Sequence, residues 1–384
     1  MNNLLIINYF FGDDRVPTAR MVNDVAKELK KKNINFKIFC SKTNYKYLKN
    51  NHKKKLFEIN SIKFFDFKFL NYSLFFISAF FHFFTTKYKK YLILTDPPFF
   101  IFLAPILKLI NPKCEIIYWT MDLYPEALYA SKIFPFQNKI IFNILKYLKN
   151  LSLNFVDKMI NLDKYQNIHL KKYPNTKKIL TKIVAPWDIR KIRLNRKNKS
   201  QFLKRNNLLD KKIVLYAGNL GRAHNVNSII NLVNYCERKK KELFFVFACK
   251  GKNKKKLYNQ LKSNKNTIIE NYFPLKETSN LLHSASFHLI TLENDWAGIV
   301  YPSKLFGIIK TKKPVLYIGP SKTGIANLID SKRLGITFKL DEKPSKIFDK
   351  IKKISKKSNL KKFKEYDKNH IELVKFIFNK TKKI

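Results

Sequence analysis

Short apolar runs alternate with amphipathic helical spacing from one end of this chain to the other. Apolar runs at residues 4–9, 36–40, 91–95, 115–119, 158–162 and 182–184 predict strands. A helix is expected to open at Pro17 and Thr18 and to run to about Lys31, with proline suited to a first helical turn. Residues 192–212 are basic, polar and without apolar periodicity, and a second series of strands then begins, at 213–217, 243–248, 267–270, 287–291 and 314–318. Strands separated by helices imply parallel sheets of the α/β class. The interruption divides the chain into a first domain at 1–190, a basic linker at 191–212 and a second domain at 213–356. A basic, helical tail at 357–384 follows, which could cross back to the first domain. Ligands of such sheets sit at the carboxyl ends of the strands, so two such domains place a site in the cleft they face.

One stretch complicates the pattern. Residues 69–86 carry no formal charge and are dense in phenylalanine, with Asn71, Ser73, Ser78 and His82 interrupting. Eighteen residues is the short end of what spans a bilayer. Lys63 and Lys68 precede the stretch, and Lys87, Lys89 and Lys90 follow it. Aromatic residues bracketed by lysine suit a helix in a membrane interface. A helix buried on one face of a sheet fits as well, and partial burial with one membrane-facing side combines the two.

Composition bears on this choice. The 384 residues carry a formal charge of +50, mostly from dispersed lysines. Lysine, asparagine, isoleucine and phenylalanine are over-used together, so codon bias accounts for part of that charge. The remainder implies attraction to anionic surfaces. No nucleic-acid module is legible, which favours a membrane surface over nucleic acid. Cys40, Cys114, Cys236 and Cys249 are too far apart for a zinc site or a disulfide framework, which fits a reducing cytoplasm. Residues 1–14 lack a basic leader and a small-residue cleavage site, so they read as a first strand rather than a signal peptide.

Only nine glycines occur, and eight of them lie between Gly218 and Gly335. In so glycine-poor a chain, each marks a backbone position that other residues take with difficulty. The run 213–217 ends at Gly218, Asn219, Leu220, Gly221 and Arg222, and a helical pattern follows. Strand, glycine turn and helix is the geometry that aims backbone N–H groups at a phosphate. Arg222 adds a permanent charge and a fork of donors. An ordinary strand-to-helix turn meets the same pattern. Lys250 and Gly251 after one strand, and Tyr272 and Phe273 after another, are candidate wall residues or plain turns. The loop from Glu293 to Lys304 enters a helix at Pro302 or Ser303. A lysine in a first helical turn opposes the helix dipole unless an anion shares the site, although lysine is abundant enough to fall there by chance.

These segments resemble glycosyltransferase family 4. The residues that carry the likeness are 214–224, Tyr301-Pro302-Ser303-Lys304 and 313–320 in the second half. In the first half they are Tyr9 to Gly12, 16–29, and Trp119 to Glu126. The nearest group is that of bacterial surface-polysaccharide enzymes of the fucosaminyltransferase-like kind. The resemblance implies a GT-B fold, two Rossmann-like doubly wound domains facing across a cleft. It further implies retaining transfer of a sugar from a nucleotide-diphosphate sugar, UDP-linked, with neither cofactor nor metal. The acceptor would be a lipid-linked saccharide of O-antigen, capsule or lipooligosaccharide synthesis, at the inner face of the cytoplasmic membrane. By motif match, Asp122, Arg222 and Lys304 are catalytic. Gly12, Gly218, Asn219, Gly221, Lys250, Gly251, Tyr272, Phe273, Tyr301, Pro302 and Ser303 fall to the donor. Arg15, Arg20 and Glu126 fall to the acceptor.

Two departures from the family pattern stand out. Met121 occupies the place of a histidine before Asp122, and the second of a glutamate pair aligns with Gly307, the first falling near 297–299. Glu293 or Asp295 is a possible substitute. Read without the family, Asp122 and Glu126 are an i, i+4 acidic pair that Pro125 could make a turn and helix start. Asp13 and Asp14 could be a polar loop. Arg20 could lie on the surface, although arginine is scarce here, and a turn-stabilising role suits His224. Two other readings of the whole chain remain, a nucleotide-sugar 2-epimerase on the same scaffold and a basic nucleic-acid-binding protein.

Overall fold

The computed structural model describes residues 2–12, 16–41, 59–60, 68–187, 200–354 and 368–379. The chain forms two compact units, one of Met1–Asp188, Ile299–Tyr301 and Glu365–Ile384, the other of Ile189–Gly298 and Pro302–Lys364. The first holds a seven-stranded sheet in the order β3-β2-β1-β4-β5-β6-β7. Its strands are β1 (Asn2–Ile7), β2 (Phe36–Phe39), β3 (Ile59–Asn60), β4 (Tyr88–Leu94), β5 (Glu115–Trp119), β6 (Lys158–Asn161) and β7 (Leu180–Ile183), all paired in parallel.

The second unit holds a six-stranded sheet in the order β10-β9-β8-β11-β12-β13. These are β8 (Lys212–Asn219), β9 (Leu243–Lys250), β10 (Thr267–Glu270), β11 (Phe287–Thr291), β12 (Val315–Ile318) and β13 (Gly335–Phe338), again all parallel. Counted from β8, this is the 3-2-1-4-5-6 order of a doubly wound sheet, and its direction reverses between β8 and β11.

Why these runs make a two-sided sheet is visible in β8 and β9. Val214, Tyr216, Phe245, Phe247 and Cys249 enter one core with the helix Val226–Arg238. Ile213, Leu215, Val246 and Ala248 enter the opposite core with Leu281 and Leu282 of the helix Leu275–Ser284. Continuous apolar runs are what a strand covered on both faces requires. The helix Val226–Arg238 buries Ile229, Leu232, Val233 and Cys236, a single stripe at helical spacing. Asn225 caps it by accepting from the Ser228 N–H at 2.7 Å.

The structure adds elements that the apolar pattern does not announce. β3 and β13 are short edge strands, and β13 begins with Gly335 because a Cβ there would stand 2.6 Å from the Val315 carbonyl carbon. A helix at Gln201–Arg205 occupies part of the stretch expected to be featureless, where Leu203 and Leu208 are buried. Five residues are too few to show a period. Of the basic tail, the described part is the helix Asn369–Phe378, which buries Leu373, Val374 and Ile377. It is held to the first sheet by Lys158, whose Nζ donates to the Asn379 carbonyl at 2.6 Å.

The phenylalanine-rich stretch is the helix Lys68–Thr85. Phe75, Ala79 and Phe83 are buried at i, i+4 and i+8, while Ile77, Phe81 and Phe84 are exposed. Among the described residues, no helix is long and apolar enough to cross a membrane.

Candidate functional site

The second unit concentrates the candidate donor residues at the carboxyl ends of β8 and β9. Gly218 has φ +134°, a conformation other side chains rarely adopt. Beyond it the loop is fixed by backbone bonds to its neighbour. The Leu220 N–H donates to the Lys250 carbonyl at 2.6 Å, and the Leu220 carbonyl accepts from the Asn253 N–H at 3.0 Å. The Asn253 side chain then donates to the carbonyls of Gly221 and His224, both at 3.0 Å. Gly251, with φ +122°, lets the two loops meet, since a Cβ there would lie 2.6 Å from the Leu220 carbonyl.

Lys304 enters this arrangement from the start of the helix Lys304–Ile309. Its aliphatic stem passes Gly218, where a Cβ would sit 3.6 Å from Cε and 3.7 Å from Nζ. The ammonium lies 3.8 Å from the centroid of the Tyr216 ring. It is sequestered from water and has no hydrogen-bond partner among the described residues. The loss of hydration pushes its pKa down to about 7. Burial against a ring face, without a counter-charge among the described residues, is costly for a cation, which makes the position ready for an anion.

His224 stands close by, and its Nδ1 donates to the Thr291 carbonyl at 2.6 Å. Burial and the Lys304 charge push its pKa down to about 3, so it is a neutral, turn-fixing imidazole. Arg222 is half-exposed and has no bonded partner among the described residues. Lys250 extends over the half-exposed Tyr272 ring, 5.4 Å from its centroid, while Phe273 packs on Phe202. Pro302 and Ser303 precede the helix, and the Ser303 side chain makes no capping bond. Tyr301 falls with the first unit. Glu293 accepts from the Asn225 side chain at 3.0 Å and its N–H donates to the Ala223 carbonyl, which ties it to the glycine loop. Gly307 is buried inside its helix.

In the first unit, Gly12 follows β1 with φ +76°. Arg20 is half-buried on the helix Pro17–Lys31, whereas Arg15, with Asp13 and Asp14, lies outside the described residues. Asp122 lies just past β5 with its side chain open to water. The loop before it is fixed by a buried network. Gln166 donates to the Met121 carbonyl at 2.7 Å, and the Met121 N–H donates to Thr95.

Glu126 is buried, and both of its oxygens face Lys149 at 3.0 and 3.2 Å, with the Tyr173 hydroxyl also donating to it. Burial alone would raise its pKa, but Lys149, His169 and Tyr173 carry it well below the ordinary carboxylate range. Sequence reasoning missed Lys149, since nothing distinguishes it from the other lysines except its place on the inward face of its helix.

No family model matches the chain, and no curated protein does. Solved structures do match. HepE of Anabaena, solved with UDP and glucose, superposes with TM-score 0.68 at 12% identity, over 99% of this chain and 96% of that one. WaaG, a glycosyltransferase involved in lipopolysaccharide biosynthesis, gives 0.67 at 12% identity over 98% and 100%. The UDP-GlcNAc 2-epimerase of Methanocaldococcus jannaschii gives 0.56 at 12% identity over 98% and 100%. The fold is GT-B.

Proposed function

We propose that the chain is a retaining glycosyltransferase that moves a sugar from a UDP-linked donor to a lipid-linked saccharide acceptor at the cytoplasmic membrane, in surface-polysaccharide synthesis. The observation that carries the reading is the buried, unpartnered ammonium of Lys304 beside Gly218, at the point where the second sheet reverses direction. A diphosphate leaving group gains negative charge as its bond to the sugar breaks, and fixed cations and N–H groups stabilise that change more than they stabilise the bound donor. Lys304 and Arg222 supply the cations in this reading. Gly218, Asn219, Gly221 and the Ser303 N–H form the cradle, and Lys250 and Tyr272 flank the base. Asp122 and Arg20 serve the acceptor, with Glu126 setting the position of the Asp122 loop. The UDP bound to HepE supports a uridine donor, and the role of WaaG in lipopolysaccharide biosynthesis supports the acceptor class.

Nucleoside diphosphate released from a panel of nucleotide sugars, with and without polyprenyl-diphosphate-linked saccharides, tests this. Release that requires both substrates is expected, and none with any pair would sink the proposal. The likeness to the 2-epimerase favours one rival, isomerisation of the sugar nucleotide alone. Turnover without any acceptor would decide for it.

A further inference from the structure

The helix Lys139–Leu153 turns an apolar face to solvent where a surface helix is normally polar. Ile140, Ile144, Tyr147, Leu148 and Leu151 are all exposed, Ile140 at 70% and Tyr147 at 63%. Their spacing puts them in one stripe covering roughly 100° of the circumference. The opposite face holds the helix in its unit through Lys149, Ser152 and Leu153, all buried, with Lys149 paired to Glu126. Asn143 and Lys146 occupy a separate flank, so the apolar stripe has a polar border. Contiguous exposed apolar side chains of this kind mark an interaction surface.

We infer that this helix lies in the plane of an anionic bilayer interface, with the Ile140–Leu151 stripe entering the boundary between headgroups and acyl chains. The choice of occupant follows from charge. The chain carries +50, so a second copy would bring like charge to the same face, whereas anionic lipid neutralises it. Lys139, exposed at the start of the helix, can extend its stem toward headgroups, and Tyr147 has the amphipathic ring that such interfaces favour. At 15 residues the helix is short for a span, consistent with lying along the surface. The inference rests on the membrane-surface part of the proposed function and is independent of the donor assignment.

The test is co-sedimentation with phosphatidylcholine vesicles with and without phosphatidylglycerol, on the full chain and on the Ile144→Gln/Leu151→Gln variant. The variant is expected to partition at least about tenfold less onto anionic vesicles, two apolar insertions having been lost, with UDP affinity unchanged. Equal partitioning of variant and parent would overturn the inference and leave the membrane reading standing. No binding by the parent to any vesicle would remove both, while UDP-sugar turnover would report separately on the transferase reading. A parent dimer that the variant converts to monomer would assign the stripe to a second copy instead. Because all four native cysteines are buried, Ile144→Cys can also carry a polarity-sensitive dye. A blue shift on anionic vesicles is expected, and no shift would overturn the inference even if the double variant folded poorly.

Discussion

Lys304 holds its ammonium 3.8 Å from the centre of the Tyr216 ring, buried and without a hydrogen-bond partner among the described residues. A ring face compensates only part of a lost hydration shell, so the unliganded protein bears a cost there that a bound diphosphate would relieve. Lys304→Met is therefore expected to lower sugar transfer by about 100-fold or more, in line with removing one fixed donor to a developing charge. The same change should leave the melting temperature unchanged or higher, since it removes an uncompensated buried cation. Steady-state kinetics and thermal melts measure the two effects. Intact turnover in the variant would contradict the site.

The pH dependence follows from the same residue. Its pKa is near 7 in the folded chain and near 10.5 when unfolded, so between those values the unfolded chain binds more protons. Lys304 thus makes the unliganded protein more stable as pH rises from 7 toward 10.5, provided the other groups do not titrate there. A diphosphate favours the charged amine, so UDP binding should take up a proton above pH 7 and weaken as pH rises. Titration calorimetry in buffers of different ionisation enthalpy reads that uptake directly. Zero uptake in the wild type, or equal uptake in Lys304→Met, would rule this coupling out.

Much of this was legible because glycine is scarce and strands buried on two faces read as apolar runs. β10 and β11 begin and end where their apolar runs do. The helix Pro17–Lys31 follows the pattern from its proline onward. Lys304 stood out by its place at the start of a helix. Lys149 did not, because a buried lysine and a solvated one are the same letter, and its partner Glu126 is 23 residues away. The apolar outer stripe of its helix was missed for a related reason. An apolar residue at helical spacing signals core until the packing shows which face is already taken. β13 escaped because an edge strand opened by glycine carries little apolar signal.

The loops at the carboxyl ends of β8 and β9 should respond differently to alanine. Gly251→Ala forces a side chain into φ +122° and puts Cβ 2.6 Å from the Leu220 carbonyl, which backbone bonds hold in place. A loss of about 1–3 kcal/mol is expected, with weaker UDP binding because the glycine loop shifts. At Gly221 the nearest atom would be the Asn219 side-chain nitrogen at 3.1 Å, which can rotate aside, so Gly221→Ala should cost much less. Urea unfolding of both variants gives the comparison. Equal destabilisation would show that the contact between the loops is not the constraint.

Glu126 and Lys149 form a buried ion pair at 3.0 Å, with neither side chain appreciably exposed. Lys149→Met leaves the carboxylate buried with only Tyr173 and His169 beside it, and should cost about 3–5 kcal/mol. Glu126→Gln/Lys149→Met should cost less than the sum of the single changes, because the stranded charge is gone. The acid side of the stability profile carries the second signature. Glu126 titrates below its ordinary 4.5 in the folded chain, so its contribution is present above that pH and lost as the solution is acidified. Glu126→Gln should therefore lose less stability between neutral and acid pH than the wild type does. Urea midpoints measured across that range decide the matter, and parallel profiles would show that the pair contributes no pH-dependent stability.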